Sequence, residues 1–395
     1  MTELLDGLVE IDPAGRITAV GPAPADCAVP ITRPGAVWSP GFVDTHIHFP
    51  QTRVIGSASG PLLDWLDRTV FPEEARFVER RYAEAVAAEF CAALAAAGTT
   101  TAAIYSASDP GATDALFAAL DRAGLRARAG LTLMDRGAPP ANCVPADVAL
   151  PAAEQLIARW HGHDDRLHFA VTPRFALACS DRLLRGAAAL AERHDLLVQT
   201  HLSENTAEIT ATRAAWPDAR DYLAVYADRG LLGRHSLFAH CIWLDDREWD
   251  RIAAADAAVA HCPDSNFFLG SGQMPLQAPL ARGIRLGLGT DVGAGRSFSL
   301  RRIAASAYDT ALVTKTPTTP EHLFWLATAG GAAALGYADR VGRIAPGHDA
   351  DLVALDLPAH AHVGVFDALL FRHDAGPVAA TYVRGRRIHA IDARG

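Results

Sequence analysis

Short apolar segments alternate with longer amphipathic segments along most of this 395-residue chain. Helical patterns occupy residues 80–98, 180–194 and 245–256, for example, and lie between the apolar segments. Eight strands alternating with helices predict parallel βα units, and this number favours a (β/α)8 TIM-type barrel of class α/β. A doubly wound open sheet is the alternative. The predicted strands are residues 41–48, 99–105, 126–135, 168–175, 196–204, 236–241, 257–263 and 284–291.

The two ends of the chain carry a different pattern. Residues 7–21 alternate in strand fashion around a turn, and residues 341–356 and 379–390 contain further short β segments with turn glycines. These segments predict a small β-sandwich domain built from both termini. The expected division gives 1–38 and 341–395 to the small β domain and 39–340 to the barrel.

Composition narrows the classes of function. The net charge is −9 and there is no basic run, which argues against a nucleic-acid-binding surface. No apolar run reaches about 18 residues, and no basic segment followed by a hydrophobic stretch occurs near Met1, so neither a membrane span nor a secretory signal is expected. The cysteines form no CxxC pair and predict reduced thiols in a cytoplasmic protein. They stand at positions 27, 91, 143, 179, 241 and 262.

Candidate chemistry is concentrated where the predicted strands end. In a parallel barrel the carboxyl ends of the strands form one mouth, where active sites lie. The segment PGFVDTHIH places two imidazoles on the same face of the first strand. Each strand-end residue alone could be structural or a helix cap, but together three or four of these imidazoles and one carboxylate predict a zinc or ferrous iron site. The residues are His46, His48, His201, His240, His261 and Asp291.

These strand ends, together with the C-terminal segment GRIAPGHDADLVALD, resemble the amidohydrolase superfamily of metal-dependent hydrolases over the whole chain. The segments PGFVDTHIHFPQ, PLLDWLDRTVFPEE, VTPRFALACS, THLSEN, AHCPDSN and GLGTDVGAG are similar to the branch of that superfamily that deaminates guanine. The resemblance implies a hydrolase that converts guanine to xanthine and ammonia with a metal-activated water, in purine catabolism. It also implies a small-molecule substrate and a homodimer.

The resemblance further implies a centre with one metal ion. Binuclear members of the superfamily bridge two metals with a carbamylated lysine at the end of the fourth strand. Here that strand ends in residues 172–175, TPRF, and the only lysine, Lys315, lies beyond the eighth strand. One zinc ion is therefore expected, with ferrous iron as the alternative. The expected ligands are His46, His48, His201 and Asp291, with His240 as a fifth ligand or bonded to the bound water.

The resemblance also implies roles in the reaction. Asp291 is expected to accept a proton from the water that attacks C2 of guanine. Glu204, three residues after His201, is expected to protonate the ring nitrogen next to C2 and then the departing amine as general acid. His240 is expected to orient the water or to stabilise the tetrahedral intermediate. His261 matches a histidine that is not a metal ligand in the family.

Recognition of the base is carried over by motif to Gln51, Arg174 and Phe175. Gln51 offers a donor and an acceptor in one amide, Arg174 offers donors to O6 and N7, and Phe175 offers a ring to stack on the purine. His201 and Glu204 are also expected to contact the substrate. From the residues alone, Arg174 could be a structural ion pair and Phe175 part of the core. The segment 56–74 is expected to be a lid over the pocket or a plain surface helix.

Two rival functions remain at this point. One is a hydrolase of another nitrogen heterocycle, such as a different aminopurine, a pterin or a triazine, that uses the same metal site. Only the pocket residues Gln51, Arg174 and Phe175 discriminate it from a guanine deaminase. The other is an inactive barrel that serves as a binding or scaffolding protein. That reading predicts missing ligands or a missing Glu204, whereas the whole set is present.

Overall fold

The computed structural model of the protein describes residues 4, 6–24, 36–58, 60–357, 364–372 and 376–391. Strands and helices alternate through the central part of these ranges. The strands are β1 (Gly7–Ile11), β2 (Ile17–Pro22), β3 (Ala36–Pro40), β4 (Phe42–His48), β5 (Thr99–Tyr105), β6 (Arg126–Gly130), β7 (Thr132–Leu133), β8 (Leu167–Phe169), β9 (Thr172–Pro173), β10 (Val198–Leu202), β11 (Ser236–His240), β12 (Ala258–His261), β13 (Arg285–Leu288), β14 (Leu352–Asp356), β15 (Val378–Val383) and β16 (Arg386–Ala390).

Most of the helices follow the barrel strands. They are α1 (Leu62–Trp65), α2 (Phe71–Glu74), α3 (Arg80–Ala96), α4 (Pro110–Ala123), α5 (Ala146–Trp160), α6 (Asp181–His194), α7 (Thr206–Ala215), α8 (Tyr222–Ala227), α9 (Asp246–Ala254), α10 (Pro263–Phe268), α11 (Gln277–Ala281), α12 (Leu300–Val313), α13 (Pro320–Trp325), α14 (Gly331–Ala334) and α15 (Val365–Phe371). A π-helical turn, Leu66–Val70, joins α1 to α2, and a second, Leu326–Gly330, joins α13 to α14.

Two parallel four-stranded sheets form the barrel predicted from the alternating pattern. Their strand orders are β4-β5-β6-β8 and β10-β11-β12-β13. On one side the sheets are linked by the pairing of β7 with β9 and by a parallel bridge between Val171 and Val198. The third and fourth predicted strands are each split in two. At the break the two segments approach each other closely, since a Cβ atom at Gly130 would lie 1.9 Å from the carbonyl oxygen of Ala170.

Hydrogen bonds between the first and last barrel strands close the other side. The backbone nitrogen of Asp291 donates to the carbonyl oxygen of His46 at 2.8 Å. The buried carboxylate of Asp44 accepts from the backbone nitrogen of Thr290 at 3.0 Å and from its hydroxyl at 2.5 Å. The (β/α)8 prediction is therefore confirmed, and the closing bonds fix the ends of β4 and β13 against each other.

Helix α3 illustrates how the sequence pattern sets the outer layer. Its buried face carries Tyr82, Val86, Phe90 and Leu94 at the spacing of one helical stripe, and it packs in the core beneath β4 and β5. The helix ends at Ala96, and Gly98 then adopts φ +82°. This left-handed glycine matches the C-terminal signal in the sequence and turns the chain into β5.

The terminal segments form the predicted small β structure. An antiparallel sheet of order β16-β15-β14-β3 and a hairpin of β1 with β2 pack around Ile17, Leu352 and Tyr382. Strand β3 pairs along its length with β14 and runs across the expected boundary between residues 38 and 39. The division into 1–38, 39–340 and 341–395 stays a prediction.

A buried arginine connects the barrel to the small sheet. The guanidinium of Arg126, at the start of β6, is fully buried and bonds Asp349 at 2.5 Å and Asp351 at 3.5 Å. Asp349 also lies 3.1 Å from Arg340. A buried charge needs such partners because its removal from water is costly.

Across the described ranges, none of the helices has both the length and the apolar character needed to cross a bilayer. Five cysteines in these ranges are free thiols: Cys91, Cys143, Cys179, Cys241 and Cys262. Cys27 lies outside the described residues.

Candidate metal centre and active site

The strand-end histidines and Asp291 converge at the mouth of the barrel. The Nε2 atoms of His48 and His201 lie 3.2 Å apart. Oδ1 of Asp291 lies 3.2 Å from Nε2 of His46 and 3.3 Å from Nε2 of His48. Ligand atoms of His46, His48 and His201 lie within 4.8 Å of one another, as do those of His46, His240, Cys262 and Asp291. The structure therefore brings together every residue that the sequence predicts as a metal ligand.

Hydrogen bonds to the outer ring nitrogens orient two of these imidazoles. Nδ1 of His201 lies 2.6 Å from the carbonyl oxygen of Arg174, which can only accept, so Nδ1 carries the proton. Nδ1 of His240 lies 2.9 Å from Oδ1 of Asn266, which fixes it in the same way. In the neutral rings, the Nε2 lone pairs then point into the shared space. Outer bonds of this type are those that orient metal-binding histidines.

Burial keeps the inner histidines neutral. Desolvation lowers the pKa of His46 and lowers the pKa of His48 to about 3, and it lowers the pKa of His201 well below its ordinary value. Burial opposes ionisation of Asp291, but His46 and the other imidazoles around it hold the pKa of this carboxyl well below its usual range. The site is thus a set of lone pairs beside one carboxylate.

The converging set fits a divalent metal ion. Nε2 of His46 and Nε2 of His240 are buried and have no hydrogen-bond partner among the described residues. Neutral imidazoles and one carboxylate are ligands that zinc and ferrous iron accept. Cys262 lies in the second group, and burial raises the pKa of its thiol well above the ordinary value. A metal ion in the shared space would give both nitrogens a partner.

Strained backbone positions follow the strands that carry these residues. His240, Cys241, Ser203 and Asp291 adopt φ values of +69°, +50°, +51° and +50°. Residues other than glycine rarely occupy this left-handed region, and each such position costs about 1–3 kcal/mol. The strain turns the strand ends inward, where the barrel positions their side chains. Its clustering at one mouth is typical of a functional site.

Glu204 lies beside the centre without joining it. It occupies the loop between β10 and α7, where Oε1 accepts a hydrogen bond from Ser271 at 3.1 Å and Oε2 lies 3.6 Å from Nε2 of His240. Burial raises the pKa of Glu204 to about 7 although His240 opposes the shift. A carboxyl group with a pKa near neutrality can both donate and accept a proton. His240 also lies 3.7 Å from Asp291 and so stands between the two carboxylates.

A cavity opens beside the metal ligands. Its polar end is formed by the ligand set and Glu204, and its apolar walls include Phe175, Leu269 and Ala294. The segment 56–74 contributes Leu62, Trp65 and Leu66, so its apolar residues line the pocket as the lid hypothesis requires.

Gln51 and Arg174 line the same cavity and share a partner. Arg174 Nη1 donates to Oε2 of Glu74 at 2.6 Å, and Nε2 of Gln51 donates to Oε1 of Glu74 at 3.4 Å. The two alternatives for Arg174 are therefore both realised, since this residue is in a buried ion pair and also faces the pocket. Phe175 likewise belongs to an apolar cluster and lines the cavity.

Two residues noted in the sequence lie outside the centre. His261 is fully buried at the end of β12, joins neither ligand group, and has no partner for either ring nitrogen within the described residues. Burial lowers the pKa of His261 to about 3. Lys315 is exposed and lies two residues after the end of α12.

Sequence reasoning missed several residues that support the site. Glu74 follows no strand, and only its position in the PEE stretch of the lid segment singles it out. Tyr105, at the end of β5, packs its ring within 4.9 Å of the rings of His46, His48 and His201. A strand-end aromatic residue is a weak signal, because core strands commonly end in one. The supporting residues are Glu74, Tyr105, Asn266 and Ser271.

A parallel barrel whose strand ends aim several imidazoles and a carboxylate at one point is typical of metal-dependent hydrolases. The chain belongs to the amidohydrolase family, whose model matches residues 37–388. Within that family it belongs with the guanine deaminases. It is 37% identical to the guanine deaminase of Escherichia coli (strain K12) over 90% of this chain and 83% of that protein. It is 43% identical to the probable guanine deaminase of Deinococcus radiodurans over 81% of this chain and 74% of that protein.

Solved structures agree with this assignment. The E. coli guanine deaminase superposes with a TM-score of 0.93 at 36% identity, covering 98% of this chain and 93% of that one. The guanine deaminase from C. acetobutylicum, with guanine bound in its active site, gives a TM-score of 0.90 at 29% identity over 95% and 93%. An adenosine deaminase from Xanthomonas campestris with bound zinc gives 0.87 at 27% identity over 99% and 91%.

Proposed function

We propose that this protein is a guanine deaminase, which hydrolyses guanine to xanthine and ammonia in purine catabolism. The observation that carries the proposal is a single cavity that joins the converging metal ligands and Glu204 to Gln51 and Arg174. Its relatives named as guanine deaminases, and the neighbour with guanine in its active site, support guanine as the substrate. A cavity with one polar end and apolar walls is the kind of site that binds a small heterocycle.

We propose one zinc ion held by His46, His48, His201 and Asp291, with His240 beside it. The converging lone pairs and the zinc in the adenosine deaminase neighbour support this assignment. Ferrous iron fits the same ligands. When bound, the metal supplies Lewis-acid activation that lowers the pKa of a water molecule. The surface position of Lys315 and the TPRF end of the fourth strand support one metal ion for each chain.

The chain's own residues then handle the protons. Asp291, ionised at neutral pH, accepts a proton from the water that attacks C2 of guanine. Glu204 delivers a proton to the ring nitrogen next to C2, which prevents negative charge from accumulating there. The Glu204 carboxylate then takes the proton of the new C2 hydroxyl and passes it to the departing amine as the C–N bond breaks. The proton held by Asp291 restores the acid form of Glu204. His240 stands within 3.7 Å of both carboxylates and orients the attacking water between them.

Recognition of the base is proposed for Gln51, Arg174 and Phe175, with His201 and Glu204 at the reacting end. Arg174 donates to O6 and N7, Gln51 bonds the neighbouring ring edge, and Phe175 packs against the ring face. The positions of all five residues on the cavity wall support these roles. A homodimer, a cytoplasmic location and the domain division at residues 38 and 340 are proposed from the sequence and the family resemblance alone.

An ammonia-release panel tests the function. Zinc-loaded protein is incubated with guanine, adenine, cytosine, a pterin and an aminotriazine, and xanthine is followed by its ultraviolet absorbance. We expect guanine to be turned over far faster than the other rings. Preferred turnover of another ring would keep the metal chemistry and refute the assignment of Gln51 and Arg174. A zinc-containing protein inactive on every ring would refute the substrate class.

A further inference from the structure

A buried carboxylate links the two polar side chains that face the proposed base-binding cavity. Glu74 ends α2 in the lid segment, 100 residues from Arg174 in sequence, and its side chain is only 3% exposed. Among the described residues, its two oxygens contact one partner each: Oε2 bonds Nη1 of Arg174 and Oε1 bonds Nε2 of Gln51. Glu74 does not line the cavity itself. It therefore acts through the two residues that do.

The carboxylate determines which atoms of Gln51 and Arg174 remain for a ligand. A carboxylate only accepts hydrogen bonds, so the amide of Gln51 must turn its NH2 group toward Glu74. Its Oε1 then lies on the opposite side, next to Gly293, where a Cβ atom would stand 2.1 Å from it. Only the absence of a side chain at Gly293 leaves room for the amide in this orientation, in which Gln51 lines the cavity. Arg174 makes no other side-chain hydrogen bond with the described residues, so its remaining N–H groups are free to donate.

The resulting pattern is one acceptor beside a set of donors. A purine lactam presents the complementary pattern, because N1–H donates and the adjacent C6=O accepts. An adenine-type edge presents the reverse pattern and would set acceptor against acceptor and donor against donor. Unpaired polar groups in a buried pocket discriminate strongly between such ligands.

We propose that Glu74 is a positioning residue that makes this pocket specific for the lactam edge of 6-oxopurines. The proposal rests on the proposed function, since it takes a purine base as the occupant of the cavity. A residue that does not touch the ring would then determine that the pocket prefers purines with an oxo group at position 6. Purines with a hydrogen or an amino group at that position would bind more weakly. Gln51 and Arg174 read the edge only in the orientation that Glu74 fixes.

Binding of two ligands that differ only at this edge tests the proposal. Hypoxanthine carries the lactam and purine lacks it, and neither has a 2-amino group to lose. Dissociation constants are measured by calorimetry on the zinc-loaded protein and on its Glu74→Gln variant. The variant keeps the size of the side chain but presents an NH2 group to Gln51 or Arg174. We expect hypoxanthine to bind about 10- to 100-fold more weakly, and purine to change by no more than a factor of about 2.

A neighbouring variant provides the matched control. Glu73→Gln makes the same chemical change one residue away, at a carboxylate that bonds Arg76 and Tyr82 outside the cavity. Its ratio of purine to hypoxanthine dissociation constants should equal that of the wild type. If Glu74→Gln weakens both ligands by the same factor, or if Glu73→Gln alters the ratio as much, Glu74 is merely structural and the proposal is overturned.

Two further measurements distinguish failure of the role of Glu74 from failure of the proposed function. If Glu74→Gln does not fold, Glu74→Asp replaces it, because its shorter carboxylate cannot hold both partners; an unchanged ratio in that variant also overturns the proposal. Guanine turnover by the wild type is measured in parallel. Absence of turnover would refute the proposed function, whereas turnover with an unchanged ratio in the Glu74 variant would refute only the role of Glu74.

Discussion

Replacement of Glu204 by glutamine should nearly abolish turnover and leave the metal centre intact. The substitution keeps the side-chain shape and an oxygen that can accept the 3.1 Å hydrogen bond from Ser271. It removes only the ability to exchange a proton. Glu204 belongs to neither of the two groups of converging ligand atoms, so metal binding should not change.

The magnitude follows from the role proposed for Glu204. General acid–base assistance contributes about 10²–10⁴-fold to a rate, which corresponds to about 3–5.5 kcal/mol of activation free energy. We expect a loss of that size in kcat with guanine for Glu204→Gln. Ser271→Ala removes one hydrogen bond that orients the carboxyl group, so its kcat should fall by only about 2- to 10-fold.

The assay combines turnover with metal content. Xanthine formation is measured under guanine saturation, and zinc is quantified in the same samples by atomic spectrometry. Glu89→Gln serves as the control, because this half-exposed carboxylate pairs with Arg53 away from the cavity and should keep wild-type values. Wild-type turnover by Glu204→Gln would refute its catalytic role. A variant that lost its zinc would instead make Glu204 part of the metal site.

Three further predictions concern stability. Arg126→Met leaves the buried carboxylates of Asp349 and Asp351 without their shared cation and should lower the free energy of unfolding in urea by about 3 kcal/mol. This value is at the low end for a broken buried ion pair, because Arg340 still contacts Asp349. An unchanged urea midpoint would contradict this prediction. Removal of the metal by a chelator should lower the thermal midpoint, since an ion that binds only the folded state stabilises it, and identical midpoints would speak against a bound ion. Burial lowers the pKa of His168 to about 4, below its ordinary value, so the unfolded chain binds more protons and the free energy of unfolding falls as the pH drops from about 6.5 toward 4. In unfolding curves, His168→Gln should make this fall with pH less steep. A fall as steep as that of the wild type would refute the assignment.

The sequence predicts which side chains converge, because a parallel barrel brings the ends of strands that are distant along the chain to one mouth. His46, His201 and His240 lie at or near the ends of their strands and Asp291 follows β13, and strand ends of a barrel must meet. The same rule predicts the position of Glu204, three residues past His201. These inferences need only the periodicity of the strands and the chemistry of the side chains.

Contacts that depend on packing between distant segments are beyond such rules. Glu74 meets Arg174 across 100 residues, and no local pattern marks that contact. Tyr105 looks like any core aromatic residue until the structure sets its ring against three imidazoles. The split of the third predicted strand follows from the close approach of Gly130 to Ala170, whereas the apolar run in the sequence is continuous.

The central claim is that one metal ion at the barrel mouth enables deamination of guanine. The most direct measurement titrates metal-free protein with zinc and follows the conversion of guanine to xanthine. We expect no turnover before zinc is added, and then a rate that rises linearly and saturates at one zinc per chain. Saturation at two zinc ions, or full activity in metal-free protein, would contradict it.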